Sequence, residues 1–129
     1  MISPAGLRAW LQSRHVAAFT GRHLDPGETV LAAGFGYIGR MMGAGAKAQQ
    51  NGVLIVTERR VAFYRKGFFG EIIETLPLKS ITSIERRSLL GHRMIRLHVS
   101  GDELEFKTFD QAAERALVDA IEAGRRQAG

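Results

Sequence analysis

Residues 52–67, GVLIVTERRVAFYRKG, restrict the fold more than any other stretch of the chain. Two apolar runs flank Thr57-Glu58-Arg59-Arg60, and their alternation has the two-residue period of a strand. A two-residue loop at Glu58-Arg59 closes them into a hairpin that sets Val56 opposite Val61 and Leu54 opposite Phe63. Those four side chains then share one face and can begin a core. The same register throws Val53, Ile55 and Tyr64 onto the other face, because successive side chains of a strand alternate. A sheet built on this hairpin needs cover on both sides, since a contiguous apolar surface left in water marks a contact. Two covers for the outer face are available. One is an N-terminal helix of the same chain, through Leu7, Trp10 and Leu11; the other is a second chain. The intramolecular helix is the first reading and homo-oligomer contact the second. Val53, Ile55, Tyr64 and Trp10 are therefore the candidate protein-contact face.

The rest of the sequence extends the same architecture. Glu28–Tyr37 reads as a strand rich in small apolar residues, and residues 38–51 as a long glycine-rich connection. Glu71–Leu76 is a strand stopped by Pro77, which cannot donate to a ladder. Ser80–Ser88 is another, with Ile81 and Ile84 three apart, so a bulge is expected there. His92–Ser100 alternates cleanly, and a Gly101-Asp102 turn would set Val99 opposite Leu104, Leu97 opposite Phe106 and His98 opposite Glu105. Ser3-Pro4 opens a helix over about residues 4–19. Thr108-x-x-Gln111 reads as a capping box for a last helix, with Asp110 as a second cap candidate. Ala113, Leu117, Ala120, Ile121 and Gly124 make its single apolar stripe, and Arg125 and Arg126 suit its C-terminal dipole. The order is helix, seven strands, helix. Short strands joined by turns give an antiparallel barrel or sandwich in an α+β, mainly β, class, with the last helix closing its open end.

With 129 residues and 45% hydrophobic content the chain suits one domain with a real core. The absence of cysteine excludes disulfides, cysteine-based zinc sites and a thiol nucleophile. Arg8, Arg14 and His15 interrupt the apolar pattern of the N-terminus, so it does not read as a secretory signal, and a cytoplasmic location is the expectation. The net charge of +5 attracts nucleic acid and anionic membranes in general.

Few motifs point to chemistry. Gly34-Phe35-Gly36-Tyr37-Ile38-Gly39 is a literal G-x-G-x-x-G, but a dinucleotide site requires a helix to follow it, and RMMGAGAKAQQNG is a poor helix. Gly45-Ala46-Lys47-Ala48 lacks the Gly-Lys-Ser/Thr of a P-loop. His92 and His98 are six apart on one strand, too far for one ion, so no metal site, cofactor site or catalytic set is assigned. Phe63, Phe106 and Phe109 read as core rather than as a stacking platform for bases, so nucleic acid is not the expected partner. Arg59 and Arg60 read first as a solvated or ion-paired corner. The alternative makes them part of an anion or lipid rim with Arg40, Lys47, Arg86 and Arg87. Met41 and Met42 read first as folding over the barrel mouth, the alternative being membrane contact beside Arg40.

Four segments carry a family resemblance: LDPGETVLAAG (24–34), GVLIVTERRVAFYRKG (52–67), LPLKSITSIE (76–85) and the helix after FKTFD (106–110). Over about residues 24–125 the pattern resembles the pleckstrin-homology (PH) superfold, and more closely the bacterial PH-like family called YokE-like. The resemblance implies a PH-like seven-stranded antiparallel split barrel or sandwich capped by a C-terminal helix. Residues 1–23 would be an N-terminal helix extension and 24–129 the PH-like domain. It also implies a non-enzymatic interaction or assembly module, acting by protein contact or self-association, since some bacterial PH-like proteins form ring-shaped oligomers. The alternative is peripheral binding to anionic lipid headgroups. Phosphoinositide-binding PH domains place basic residues in the first hairpin loop, where this chain offers only Arg40 and Lys47.

Overall fold

Seven antiparallel strands lie in the order β4-β3-β2-β1-β7-β6-β5 in the computed structural model, which describes residues 3–40, 50–67 and 70–128. They are β1 (Val30–Arg40), β2 (Gln50–Thr57), β3 (Arg60–Gly67), β4 (Gly70–Pro77), β5 (Ser83–Leu89), β6 (His92–Val99) and β7 (Asp102–Thr108). Helix α1 (Pro4–Arg22) precedes them and α2 (Gln111–Ala128) follows. β1 joins the two halves of the sheet: it pairs with β2 as far as Ile38↔Gln50 and with β7 from Tyr37↔Lys107. The glycines that gave the dinucleotide-like spacing serve this bend. A methyl at Gly36 would overlap the Lys107 carbonyl, and a methyl at Gly34 would press on Leu117 of α2. The glycine segment stays a strand through Arg40, so the glycines do not themselves open a helix as a dinucleotide site requires.

The β2–β3 hairpin has the register its alternation predicts: Val56↔Val61, Leu54↔Phe63 and Val53↔Tyr64. Leu54, Val56, Val61 and Phe63 pack with Ile95, Leu97, Leu104, Phe106 and the α2 residues Leu117, Val118 and Ile121 in the main core. The stripe of α2 thus closes the concave side of the sheet. Asp110 is its cap: one Oδ1 accepts from the amides of Ala112 at 2.9 Å and Ala113 at 3.2 Å. Thr108 does not form the capping box; its hydroxyl accepts from the Asp110 amide and lies 3.0 Å from the Phe35 carbonyl, tying β7 to β1.

Two expectations of local geometry change. β5 needs no bulge, because Ile81 precedes the strand, buried after a 3-10 turn at Leu78–Ser80, and β5 pairs with β6 in unbroken register. The β6–β7 turn is Ser100-Gly101, which pairs Val99↔Asp102, Leu97↔Leu104 and His98↔Glu103. Gly101 takes φ +77° at its second position, whereas a Gly101-Asp102 loop of the expected kind needs the glycine first.

Candidate functional site: basic surfaces around the sheet

The Arg59-Arg60 corner divides into a buried residue and an exposed one. Glu28, just ahead of β1, has a fully buried side chain, and Arg60 grips it with Nε to Oε2 and Nη2 to Oε1, both at 2.9 Å. The Thr57 hydroxyl donates to the same carboxylate at 2.6 Å and accepts from the amides of Arg59 and Arg60 at 3.1 Å. The Asp25 amide donates to Oε1 at 3.0 Å. These bonds, with those of Arg60 foremost, outweigh burial and hold the Glu28 carboxyl down at about 2, while the carboxylate raises the Arg60 guanidinium above its ordinary value. Arg60 Nη2 also donates to the His23 carbonyl at 2.6 Å, so the corner clamps the end of α1. Arg60 is therefore a structural cation. Arg59 is half-exposed, 3.6 Å from Glu58 and 3.9 Å from Asp25.

The remaining rim candidates are dispersed. Arg86, on β5, reaches across to α2 and pairs with the buried Glu114 at 2.7 and 3.2 Å. Arg87 is 3.2 Å from Glu85. The carboxylates that hold Arg59 and Arg60 are distinct from those that hold Arg86 and Arg87, and no contact joins the two pairs. The Arg40 side chain, Lys47, Met41 and Met42 lie outside the described residues. On the outer face of β5–β7, Arg96 sits among Glu85, Glu103 and Glu105, and His98 contacts Glu85 at 3.0 Å. His98 faces Glu103 rather than Glu105 because the register differs from expectation by two residues.

The apolar outer face is filled from within the chain. Val53, Ile55 and Tyr64 are fully buried beneath α1, together with Phe19 and the partly buried Val16 and Ala18. They are not an open protein-contact face. Trp10 is 48% exposed; among the described residues the cover comes from Val16, Ala18 and Phe19, and the side chains of Leu7 and Leu11 lie outside the described residues. Burial and the hydrogen bond to Glu71 push the Tyr64 phenol up to about 12. Glu71 also takes His23 at 2.7 Å and Arg22 at 3.5 Å, a second clamp on the end of α1.

Beside this cover a cleft of about 620 Å³ opens between α1 and the mouth-side ends of β2 and β3. Arg14, His15, Phe35, Asn51, Arg65 and Lys66 are among its lining residues. The Lys66 amide donates to His15 Nδ1 at 3.3 Å, and the His15 ring stacks on Phe35. Burial, then the charges of Arg65 and Arg14, lower the His15 pKa. Elsewhere, Phe109 stands edge-on to Tyr37 with ring centroids 6.1 Å apart, and 4.3 Å from the His92 ring; both Tyr37 and Phe109 are exposed. Leu90, at the tip of the β5–β6 turn, is wholly exposed and held at φ +39°.

A sequence model of the bacterial PH domain matches residues 24–123. The chain belongs to the bacterial PH domain family. Among solved structures, the Vps36 N-terminal PH domain is similar at 16% identity and TM-score 0.61, with 81% of this chain and 83% of that one covered. A DUF1696 family protein with a pleckstrin-homology domain from Shewanella loihica is 18% identical with TM-score 0.56, over 85% of this chain and 93% of its own. The C-terminal domain of an unknown protein from Leishmania infantum is 15% identical with TM-score 0.55, over 84% and 92%. At these identities the neighbours share the fold. No curated protein matches the chain. In this bacterial PH domain α1 lies ahead of the matched residues, yet it forms one wall of the cleft. The cleft was missed in the sequence because its lining comes from residues as far apart as Arg14 and Lys66. The one local signal was Arg65-Lys66 at the end of an otherwise apolar strand. No helix among the described residues is long and apolar enough to cross a membrane.

Proposed function

We propose that this bacterial PH domain is a non-catalytic recognition module that binds a partner protein through the surface formed by Tyr37, Phe109 and His92, with Leu90 at its edge. The supporting observation is the stacking of these rings on the outside of the domain, where Tyr37 and Phe109 remain exposed. Single exposed apolar residues are ordinary, but a cluster of them signals a contact. Leu90 adds to it. A left-handed backbone costs a leucine about 1 kcal/mol, so a wholly exposed leucine there is disfavoured twice unless something covers it. Lys107 pairs with Tyr37 across β1 and β7 and lies 3.8 Å from Glu105, so the border of the surface carries both signs of charge. The reading is a different protein whose apolar side chains cover these rings. Self-association through Val53, Ile55 and Tyr64 has lost its support, since α1 occupies that face. Lipid binding through Arg59, Arg60, Arg86 and Arg87 is weakened in the same way by their carboxylate partners.

A photo-crosslinking residue in place of Phe109 tests this in the native host. A discrete heteromeric adduct is expected, absent when the crosslinker replaces Lys79 and lost when Leu90→Asp is added. Only homodimeric adducts, or the same adducts from both positions, would overturn the reading.

A further inference from the structure

We infer that the cleft between α1 and the ends of β2 and β3 binds a phosphate-type anion, with Arg14, Arg65 and Lys66 as its cationic wall. This site is separate from the protein-contact surface and does not depend on it. The first ground is charge. No acidic residue lines the cleft among the described residues, and none of the three cations has an ion pair. Arg22, Arg59, Arg60, Arg86, Arg87, Arg96 and Lys107 each have a carboxylate, whereas the cleft gathers three cations with none beside them on two facing walls.

The second ground is that neutral groups hold these cations in place. Asn51 takes the Arg65 guanidinium at both its side-chain and its main-chain oxygen. The Arg14 guanidinium lies over the Trp10 ring, 4.8 Å from its centroid. Both side chains are oriented without being neutralised, which lowers the ordering cost of binding an anion. Guanidinium groups so held suit bidentate contact with a phosphate, and the Lys66 ammonium adds a point charge. The third ground is size. About 620 Å³ is more than one phosphate ion fills, so the ligand is a phosphomonoester carrying a substituent, with the Phe35 ring available to its apolar part. The wall supplied by α1 precedes the residues matched by the family model.

His15 supports the inference. It meets Arg14 on its own helix and Arg65 and Lys66 from β3, and the first two charges help burial keep its ring neutral. A bound anion offsets those two charges, and its binding is expected to weaken with salt.

The shared chemistry is the phosphomonoester, and its source is either a soluble ester or a lipid headgroup. Titration calorimetry of the full chain at low ionic strength with glycerol 3-phosphate tests the first. Co-sedimentation with phosphatidylcholine vesicles containing phosphatidic acid tests the second, with phosphatidylglycerol vesicles as the phosphodiester control. Binding is expected in at least one arm. The double variant Arg65→Gln, Lys66→Gln should weaken it by roughly tenfold or more, as for loss of charge-assisted bonds. Arg59→Gln should leave it unchanged. If the double variant unfolds, Arg14→Gln gives the same reading from the other wall. No binding in either arm, or equal losses from Arg59→Gln and the cleft variants, would overturn the inference. Neither result bears on the crosslinking at position 109.

Discussion

The corner at Arg60 and the cleft at Arg65 lie at opposite ends of the same strand and handle positive charge in opposite ways. At the corner the buried Glu28 carboxylate and the His23 carbonyl take the Nε and Nη2 bonds of Arg60, and the Thr57 hydroxyl braces the carboxylate. In the cleft Arg65 is fixed by an asparagine, and its charge remains unanswered. The difference teaches that a cation's availability is set by the carboxylates within reach of it. Exposure alone does not decide it: Arg59 and Arg87 are both half-exposed and both have an acidic neighbour. It also explains why a basic sequence can have few open cationic surfaces.

The comparison breaks first at Glu28. Glu28→Gln leaves Arg60 charged and semi-buried with a neutral partner, which should cost about 3–5 kcal/mol in urea unfolding at neutral pH. The wild type carries the matching pH signature. The native pKa of about 2 lies below the ordinary glutamate value of 4.5, so the unfolded chain takes up the proton first as pH falls. Glu28's contribution is complete above pH 4.5 and is lost as pH falls toward 2, amounting to roughly 3 kcal/mol. That acid slope should be missing from Glu28→Gln. A cost below about 1 kcal/mol would put the corner in the same class as ordinary surface pairs.

A smaller effect is expected where the pair is only half sealed. Arg86→Leu strands the buried Glu114, at a cost of about 1–3 kcal/mol, moderated because half-exposed Arg86 leaves water a path to the carboxylate. Adding Glu114→Leu should recover most of that loss, which a double-mutant cycle in urea would measure. If the double variant is as unstable as the single one, the cost lies in helix packing and not in the stranded charge.

The smallest effect belongs to the cleft. Replacing Arg14, Arg65 and Lys66 together by glutamine breaks no ion pair, so thermal and urea stability should stay within about 0.5 kcal/mol of wild type. A loss as large as that of Glu28→Gln would mean that the cleft cations are structural, and the contrast between the two ends of β3 would disappear.

Much of the architecture was legible along the chain. The β2–β3 register followed from alternation about a two-residue loop, and the α2 stripe from its 3.6-residue period. The β6–β7 register was not, for a definite reason. Moving a hairpin by two residues returns every side chain to the same face, so Leu97, Leu104 and Phe106 are inward in either register. The α1 contact was legible only in part: a helix of small apolar residues has no sharp stripe, Trp10 is half-exposed, and among the described residues Phe19 is fully buried.

By itself the sequence determined that an apolar hairpin needed cover on both faces and that a striped helix would plug one of them. Those facts live in neighbours a few residues apart. Only the tertiary structure decided which cations are spent. Glu28 meets Arg60 across 32 residues and Arg86 meets Glu114 across 28, and the cleft joins Arg14 to Lys66. Ion pairing acts through space over a few ångströms, and no periodicity in the chain encodes which distant carboxylate will arrive within that distance.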